Sequence, residues 1–206
     1  MTIAQSNRFQ IFTEMDKPYG ITYGKWTVKW WQWIYSTPRS ISPLFDPDGK
    51  HWKKNQPLSD VWFLVGSLAD IPKPLPHRKI KMKFGRSILF PVLNCEANLC
   101  EYPEFTHDEL VKHVTVDVNS VLQKDCTING NLISPVVVPS DPTIYKVRIA
   151  KDNAFKIEKT GLTDATAYGY WIFLKPIPKG IYEIRFEGSC ESGRLHSGAD
   201  YELEIF

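Results

Sequence analysis

The chain has 206 residues, of which 43% are apolar and 13% aromatic, and its formal net charge is +2 at pH 7. This length and apolar content exclude a disordered chain and fit one globular domain with a sizeable core. The small net charge argues against bulk nucleic acid or an anionic bilayer as a partner, so we expect neither.

The N-terminal stretch MTIAQSNRFQIFTEMD has no basic region followed by an apolar run, and no apolar stretch in the chain reaches 18 residues. We therefore expect no secretory signal and no membrane span, and a cytoplasmic location. Four cysteines are too few for a disulfide scaffold, so we expect free thiols. They are Cys95, Cys100, Cys126 and Cys190.

The segment from Tyr19 to Pro38, YGITYGKWTVKWWQWIYSTP, holds four of the seven tryptophans. It follows a short strand predicted over Arg8 to Thr13. A helix that begins at Thr22 and ends near Ser36 places most of its apolar residues on one stripe, which predicts packing against the core. The residues of this stripe are Tyr23, Trp26, Trp30, Trp33 and Ile34.

Residues 39–60 are rich in Pro, Ser, Asp and Lys and are predicted to form a long surface connection. From Val61 the pattern changes to strands. VWFLVGS (61–67) is continuously apolar, as in a strand covered on both faces. Residues 79–84 alternate and are predicted to pair with residues 87–94 as a hairpin.

We expect one domain over 1–206, with a helix and wrapping loop in 1–60 and a strand-rich body in 61–206.

Thr106 and Glu109 have the spacing of a capping box and precede apolar residues at helical spacing, which predicts a second helix over residues 107–123. The valines in this stretch leave a strand as the alternative. Asn129 and Gly130 then predict a tight hairpin, because both residue types accept the positive φ of a type I′ turn.

The second half of the chain alternates apolar and polar residues over several short stretches, each predicted to be a strand. The pattern predicts a mainly β, single-domain β-sandwich that is jelly-roll-like, with the two helices on its outside. The predicted strands cover residues 136–138, 144–149, 154–159, 169–175, 181–187 and 200–206.

Aromatic motifs recur along the chain: YGxTYxxWxxxWWQW from Tyr19, VWFL at 61–64, FPxxN at 90–94 and GYWIFLKP at 169–176. In this combination the chain resembles a family of uncharacterised archaeal and bacterial proteins that includes sequences from ammonia-oxidising archaea. The resemblance runs over most of the chain and implies one compact unit. It implies no catalytic residue.

The leading functional hypothesis is a non-enzymatic binding or self-assembly module. Trp31 and Tyr35 lie off the main stripe of the first helix, so a second aromatic side is left for a ligand or a second subunit to cover. We expect a carbohydrate-like or small aromatic ligand, or a homo-oligomer. The expected ligand-binding residues are Trp30, Trp31, Tyr35, Tyr170 and Trp171.

The alternative hypothesis is a hydrolase or metal-assisted enzyme. Its site gathers around Asn94, Glu96 and Glu101, with His51 as a further member, because two carboxylates at a suitable separation can serve as acid and base on a glycoside. The GxSxG, P-loop, HExxH and GxGxxG motifs are absent from the sequence, and we expect no cofactor.

Lys79, Lys81 and Lys83 form a basic row that suits phosphate or an acidic glycan. A structural role is favoured instead, because two pairs of acidic residues, Glu202 with Glu204 or Glu183 with Glu187, show the matching alternation for cross-strand pairing.

One string has metal-like spacing: Cys95, Cys100, His107 and His113. Its central spacing is shorter than that of a zinc finger, and the two histidines point in different directions on a helix. We therefore assign no metal site from the sequence.

Overall fold

The computed structural model describes residues 9–57, 59–67 and 74–206, and it is mainly β with two α-helices and two mixed sheets. The helices are α1 (Tyr23–Ser36) and α2 (His107–Asn119). Within the described ranges, neither helix has the length and apolar content needed to cross a bilayer. Short 3₁₀ turns occupy Pro18–Gly20, Arg39–Ile41 and Pro43–Phe45.

Each sheet has five strands. The first has the order β1-β3-β8-β6, with β7 also paired to β8, and the second has the order β2-β10-β9-β4-β5. The β1–β3 and β2–β10 pairs are parallel, and the other pairs are antiparallel. The strands are β1 (Val61–Phe63), β2 (His77–Met82), β3 (Ser87–Asn98), β4 (Val121–Ile128), β5 (Asn131–Leu132), β6 (Val136–Pro139), β7 (Tyr145–Ile149), β8 (Gly161–Leu174), β9 (Gly180–Cys190) and β10 (His196–Ile205).

The two sheets pack against each other through one apolar cluster that takes side chains from both. Ile88 and Phe90 enter it from β3, and Phe186 and Leu203 enter it from β9 and β10. The ring centroids of Phe90 and Phe186 lie 4.8 Å apart. The alternating pattern of these strands therefore has the expected physical cause, which is burial of one face.

Helix α1 covers the other face of the first sheet. Its start is capped by Thr22, whose Oγ1 accepts a hydrogen bond from the backbone N–H of Lys25 at 3.3 Å. The rings of Trp26 and Trp30 lie edge-on against Phe173 and Trp171 of β8. The predicted tryptophan helix is confirmed, and Trp26, Trp30, Trp31 and Trp33 are all buried.

A β-bulge in β3 decides which side chains of its second half face α1. The ladder with β8 is regular up to Pro91, opposite Trp171, and resumes at Leu93, opposite Tyr170, so Val92 is the extra residue. After the bulge, residues 94, 96 and 98 lie on the α1 side of the sheet, and residues 95 and 97 lie on the α2 side. Simple alternation from residue 90 would have placed residue 96 on the α2 side.

Helix α2 packs on the second half of β3 and the first half of β8, on the face opposite α1. Leu110, Val114 and Val118 form an apolar stripe against Cys95 and Ala97. The capping box is present. The helix ends at Asn119, four residues earlier than predicted, because residues 121–128 pair with β9.

The predicted hairpin between residues 79–84 and 87–94 is wrong. Strands β2 and β3 belong to different sheets, and β2 pairs with β10 instead. The apolar faces of both strands enter the same inter-sheet cluster, so the connection between them crosses from one sheet to the other. The hairpin at Asn129 and Gly130 is confirmed, with φ angles of 49° and 74°.

Three other predicted strands differ from the structure. Residues 154–159 form no strand, because the Asn153 side chain closes a turn by accepting hydrogen bonds from the N–H groups of Phe155 and Ile157. The strand expected over 61–67 ends at Phe63. Near the N-terminus, Ile11 forms a single bridge to Leu174, and the start of that predicted strand lies outside the described residues.

Candidate functional site

A cavity of about 370 Å³ lies beside the second half of β3, between the end of α1, helix α2 and the loop from β9 to β10. Within the described residues, β1 pairs with β3 from Ser87 to Leu89. The cavity borders a later part of β3, between Pro91 and Glu96. Both faces of β3 contribute side chains, Glu96 from the α1 side and Cys95 from the α2 side.

Glu96 is held by side chains of α1 and β3. The Tyr35 hydroxyl donates a hydrogen bond to Glu96 Oε2, and Asn98 Nδ2 lies 3.3 Å from the same oxygen. Asn98 is fully buried, and its Oδ1 accepts hydrogen bonds from the backbone N–H groups of Cys100 and Glu101 at 3.0 Å each. These bonds fix the amide, and the amide in turn fixes the carboxyl group.

Burial raises the pKa of Glu96 to about 8, although hydrogen bonds from Tyr35 and Asn98 favour the charged form. Desolvation also raises the pKa of the neighbouring Glu101. At neutral pH the carboxyl group of Glu96 is therefore largely protonated, so it can both donate and accept hydrogen bonds.

Three residues that line this cavity each carry a buried polar atom with no hydrogen-bond partner among the described residues. The atoms are the indole N–H of Trp31, Nδ2 of Asn94 and Oε1 of Glu96. Atoms of this kind also occur away from the cavity, for example the Tyr23 hydroxyl. What distinguishes the three is that their residues, which supply two donors and one carboxyl oxygen, line the same cavity.

Aromatic rings form one wall of the cavity. The rings of Trp31 and Tyr35 are stacked, with centroids 6.0 Å apart, and Phe155 lies 6.2 Å from Trp31 and 5.3 Å from Tyr35. Polar and aromatic residues therefore line one cavity, a combination typical of small-molecule sites.

A second polar group borders the cavity from the α2 side. Potential ligand atoms of Cys95, His113 and Asp117 all lie within 4.8 Å of one another. His113 and Asp117 are four residues apart on α2 and share one face of that helix. Arg194 donates to Asp117 Oδ1 at 2.7 Å.

The structure brings together only some of the residues that the sequence indicated. Trp30, Trp31 and Tyr35 border the cavity with Asn94, Glu96 and Glu101. Trp30 has a partner already, because its indole N–H donates to the Leu64 carbonyl at 2.9 Å.

The remaining aromatic candidates do not border this cavity. Trp171 is 1% exposed and packs under α1, and Tyr170 faces α2 with the Lys124 ammonium 4.3 Å from its ring centroid. His51 lies in the connection after α1, where its N–H bonds to Asp46.

The basic row pairs across strands on its exposed side. Lys79 contacts Glu202 at 3.1 Å and Lys81 contacts Glu204 at 2.7 Å, in the register of the parallel β2–β10 pair. Lys83 follows β2 and is exposed. Exposed pairs of this kind contribute little to stability, about 0–1 kcal/mol.

Sequence reasoning missed Asn98, Asp117, Phe155 and Arg194. One signal was available: Asp117 follows His113 by four residues on a predicted helix, which places both on one face. Phe155 and Arg194 come from loops distant in sequence, and no local pattern indicates them.

Comparison with protein-family models, curated proteins and solved structures gives no match to this chain. The candidate site therefore rests on the geometry of its own residues.

Proposed function

We propose that this protein binds a small, neutral, polyhydroxylated ligand of monosaccharide size in the cavity beside β3. The observation that carries the proposal is the set of unpartnered buried atoms at Trp31, Asn94 and Glu96. Each such atom costs about 1–3 kcal/mol when it is left unsatisfied. Hydroxyl groups both donate and accept hydrogen bonds, so a ligand of this class matches a set of two donors and one carboxyl oxygen.

The aromatic wall and the local charge support the same ligand class. Trp31, Tyr35 and Phe155 line the cavity, and aromatic residues of this kind suit the C–H groups of a sugar ring. Among the described residues that line the cavity, the single Arg or Lys side chain is that of Arg194, and it is already paired with Asp117. An anionic ligand would find no free Arg or Lys cation there, so a neutral one is favoured.

Self-assembly through the same aromatic residues has less support. Trp30, Trp31 and Tyr35 are each at most 6% exposed, so they present little surface to a second subunit. The second candidate function is a hydrolase acting on the same ligand class, which the position of Glu96 and Glu101 at one cavity supports. Turnover of a nitrophenyl glycoside that is lost in both Glu96→Gln and Glu101→Gln would favour the hydrolase.

For the fold, we propose that the two sheets form a jelly-roll-like sandwich. The apolar cluster shared by the sheets supports a sandwich.

Isothermal titration calorimetry with a panel of neutral monosaccharides tests the proposed function. We expect at least one to bind with one site per chain, and Trp31→Phe to weaken its affinity about tenfold because it removes a donor but keeps an aromatic ring. Trp52→Phe makes the same change outside this cavity and is expected to leave the affinity unchanged. Absence of binding across the panel, or equal effects of the two variants, would contradict the proposal.

A further inference from the structure

The α2 side of the cavity holds a cysteine, a histidine and an aspartate from two different elements. We propose that Cys95, His113 and Asp117 form a zinc site whose fourth position opens to the cavity. This inference does not depend on sugar binding, because it rests on different side chains.

The three candidate ligand atoms lie close to one another. Ligand atoms on a tetrahedral zinc ion lie about 2.0–2.3 Å from the metal, and therefore roughly 3–4 Å from one another. The thiol sulfur, ring nitrogen and carboxylate oxygen already lie within 4.8 Å of one another. Movements of about 1 Å, within the reach of side-chain rotation, complete the geometry.

Neighbouring side chains contact two of the three candidate ligands. Arg194 binds Asp117 through Oδ1, which leaves Oδ2 available. The ring of His113 lies against Tyr102 and Phe105, with centroid distances of 4.9 and 6.0 Å. The hydrogen bond from Arg194 to Asp117 is an outer contact of the kind found around metal sites, and the two aromatic rings limit the movement of the imidazole.

A nucleophilic cysteine fits the same residues less well. A Cys-His-Asp triad requires the aspartate to orient the imidazole through a hydrogen bond. Here the Asp117 carboxylate accepts a hydrogen bond from Arg194 through Oδ1, and the Cys95 thiol donates to the Glu96 carbonyl at 3.9 Å. Metal binding needs the ligand atoms to converge and the thiol to release its proton as the metal binds, and the geometry provides the convergence.

The chemical types of the three ligand atoms favour zinc. One thiolate, one imidazole and one carboxylate are ligands that zinc accepts together, whereas magnesium and calcium prefer oxygen alone. Three protein ligands with an open fourth position are typical of catalytic rather than structural zinc. The cavity supplies room for water or a ligand hydroxyl at that position.

The test uses the full chain, reduced with a phosphine and stripped of metal by a chelator. Titration with Zn²⁺ is expected to give one ion per chain. Titration with Co²⁺ is expected to give the intense visible bands of a tetrahedral site together with a thiolate charge-transfer band. No stoichiometric binding, or a cobalt spectrum without the thiolate band, would overturn the proposal.

Matched variants identify the ligands. Cys95→Ser and Asp117→Asn are each expected to lower the zinc affinity about 100-fold or more. Cys100→Ser and His107→Gln are controls, because Cys100 packs in the α1 cluster and His107 contacts Asp164 at 3.2 Å. Circular dichroism checks that each variant folds. Zinc affinity that falls equally in the controls, or survives in both ligand variants, would also overturn the proposal.

Discussion

The Tyr35 hydroxyl, in the last turn of α1, donates a hydrogen bond to Glu96 Oε2 on β3. Both side chains are buried, and the bond connects the tryptophan helix to the strand that borders the cavity. The carboxyl group is thereby held with its second oxygen, Oε1, free of protein partners among the described residues. The position of the helix and the geometry of the site are therefore coupled.

Tyr35→Phe tests this coupling. The substitution keeps the ring and removes the donor, so we expect the free energy of unfolding to fall by about 1–3 kcal/mol. Urea denaturation measures the change. Tyr19→Phe is the control: it removes a hydroxyl that bonds Ser87 and not Glu96, from a side chain that is 45% exposed. If the free energy of unfolding falls equally in the two variants, the Tyr35–Glu96 hydrogen bond contributes no more to stability than the Tyr19–Ser87 bond.

Gly169 lies directly opposite Asn94 in the β3–β8 ladder. A Cβ atom at Gly169 would lie 2.6 Å from Asn94 Cβ and 2.8 Å from the Leu93 carbonyl oxygen. Gly169→Ala must therefore displace β3 at the cavity, and we expect a loss of about 1–3 kcal/mol in stability together with weaker ligand binding.

The control for that substitution is Ala167→Gly, two residues away and opposite Glu96. It removes a methyl group without a clash, and we expect a loss of about 0.5–1 kcal/mol. Thermal unfolding measures both changes. A Gly169→Ala protein as stable as the wild type would show that the strands can separate at this point without cost.

The capping box of α2 predicts a pH dependence. Hydrogen bonds from the backbone and side chain of Thr106 lower the pKa of Glu109 below its usual value of 4.5. A lowered folded-state pKa contributes stability that is present above the unfolded-state pKa and is lost as the pH falls through the folded-state value.

We therefore expect the wild type to be more stable than Glu109→Gln at pH 7, and the difference to shrink as the pH falls below 4.5. Urea denaturation at pH 7 and at pH 3 measures it. Thr106→Ala, which removes the cap itself, is expected to cost about 0.5–2 kcal/mol at pH 7. A difference between wild type and Glu109→Gln that is the same at both pH values would contradict the prediction.

Sequence patterns predicted the helices and the turn that depend on interactions between residues close in sequence. The stripe of α1, the capping box at Thr106 and the turn at Asn129 and Gly130 each depend on neighbours within a few residues, and each is present. Pairing between distant strands was not predictable in this way. The apparent hairpin after residue 79 failed because β2 pairs with the last strand of the chain.

The candidate site was predictable only in part. Asn94 and Glu96 were indicated by polar residues at the end of an apolar strand, and both border the cavity. The face on which they lie depends on the bulge at Val92, and no alternation pattern shows an extra residue of this kind. Asn98 and Arg194 act through tertiary contacts that the sequence does not display.

The most direct test of the proposed cavity is a crystal structure of the protein with the monosaccharide that binds most tightly in calorimetry. We predict that the sugar lies beside β3, with hydroxyl groups within hydrogen-bond distance of Trp31 Nε1, Asn94 Nδ2 and Glu96 Oε1. A sugar bound elsewhere, or a cavity closed by its own side chains, would contradict it.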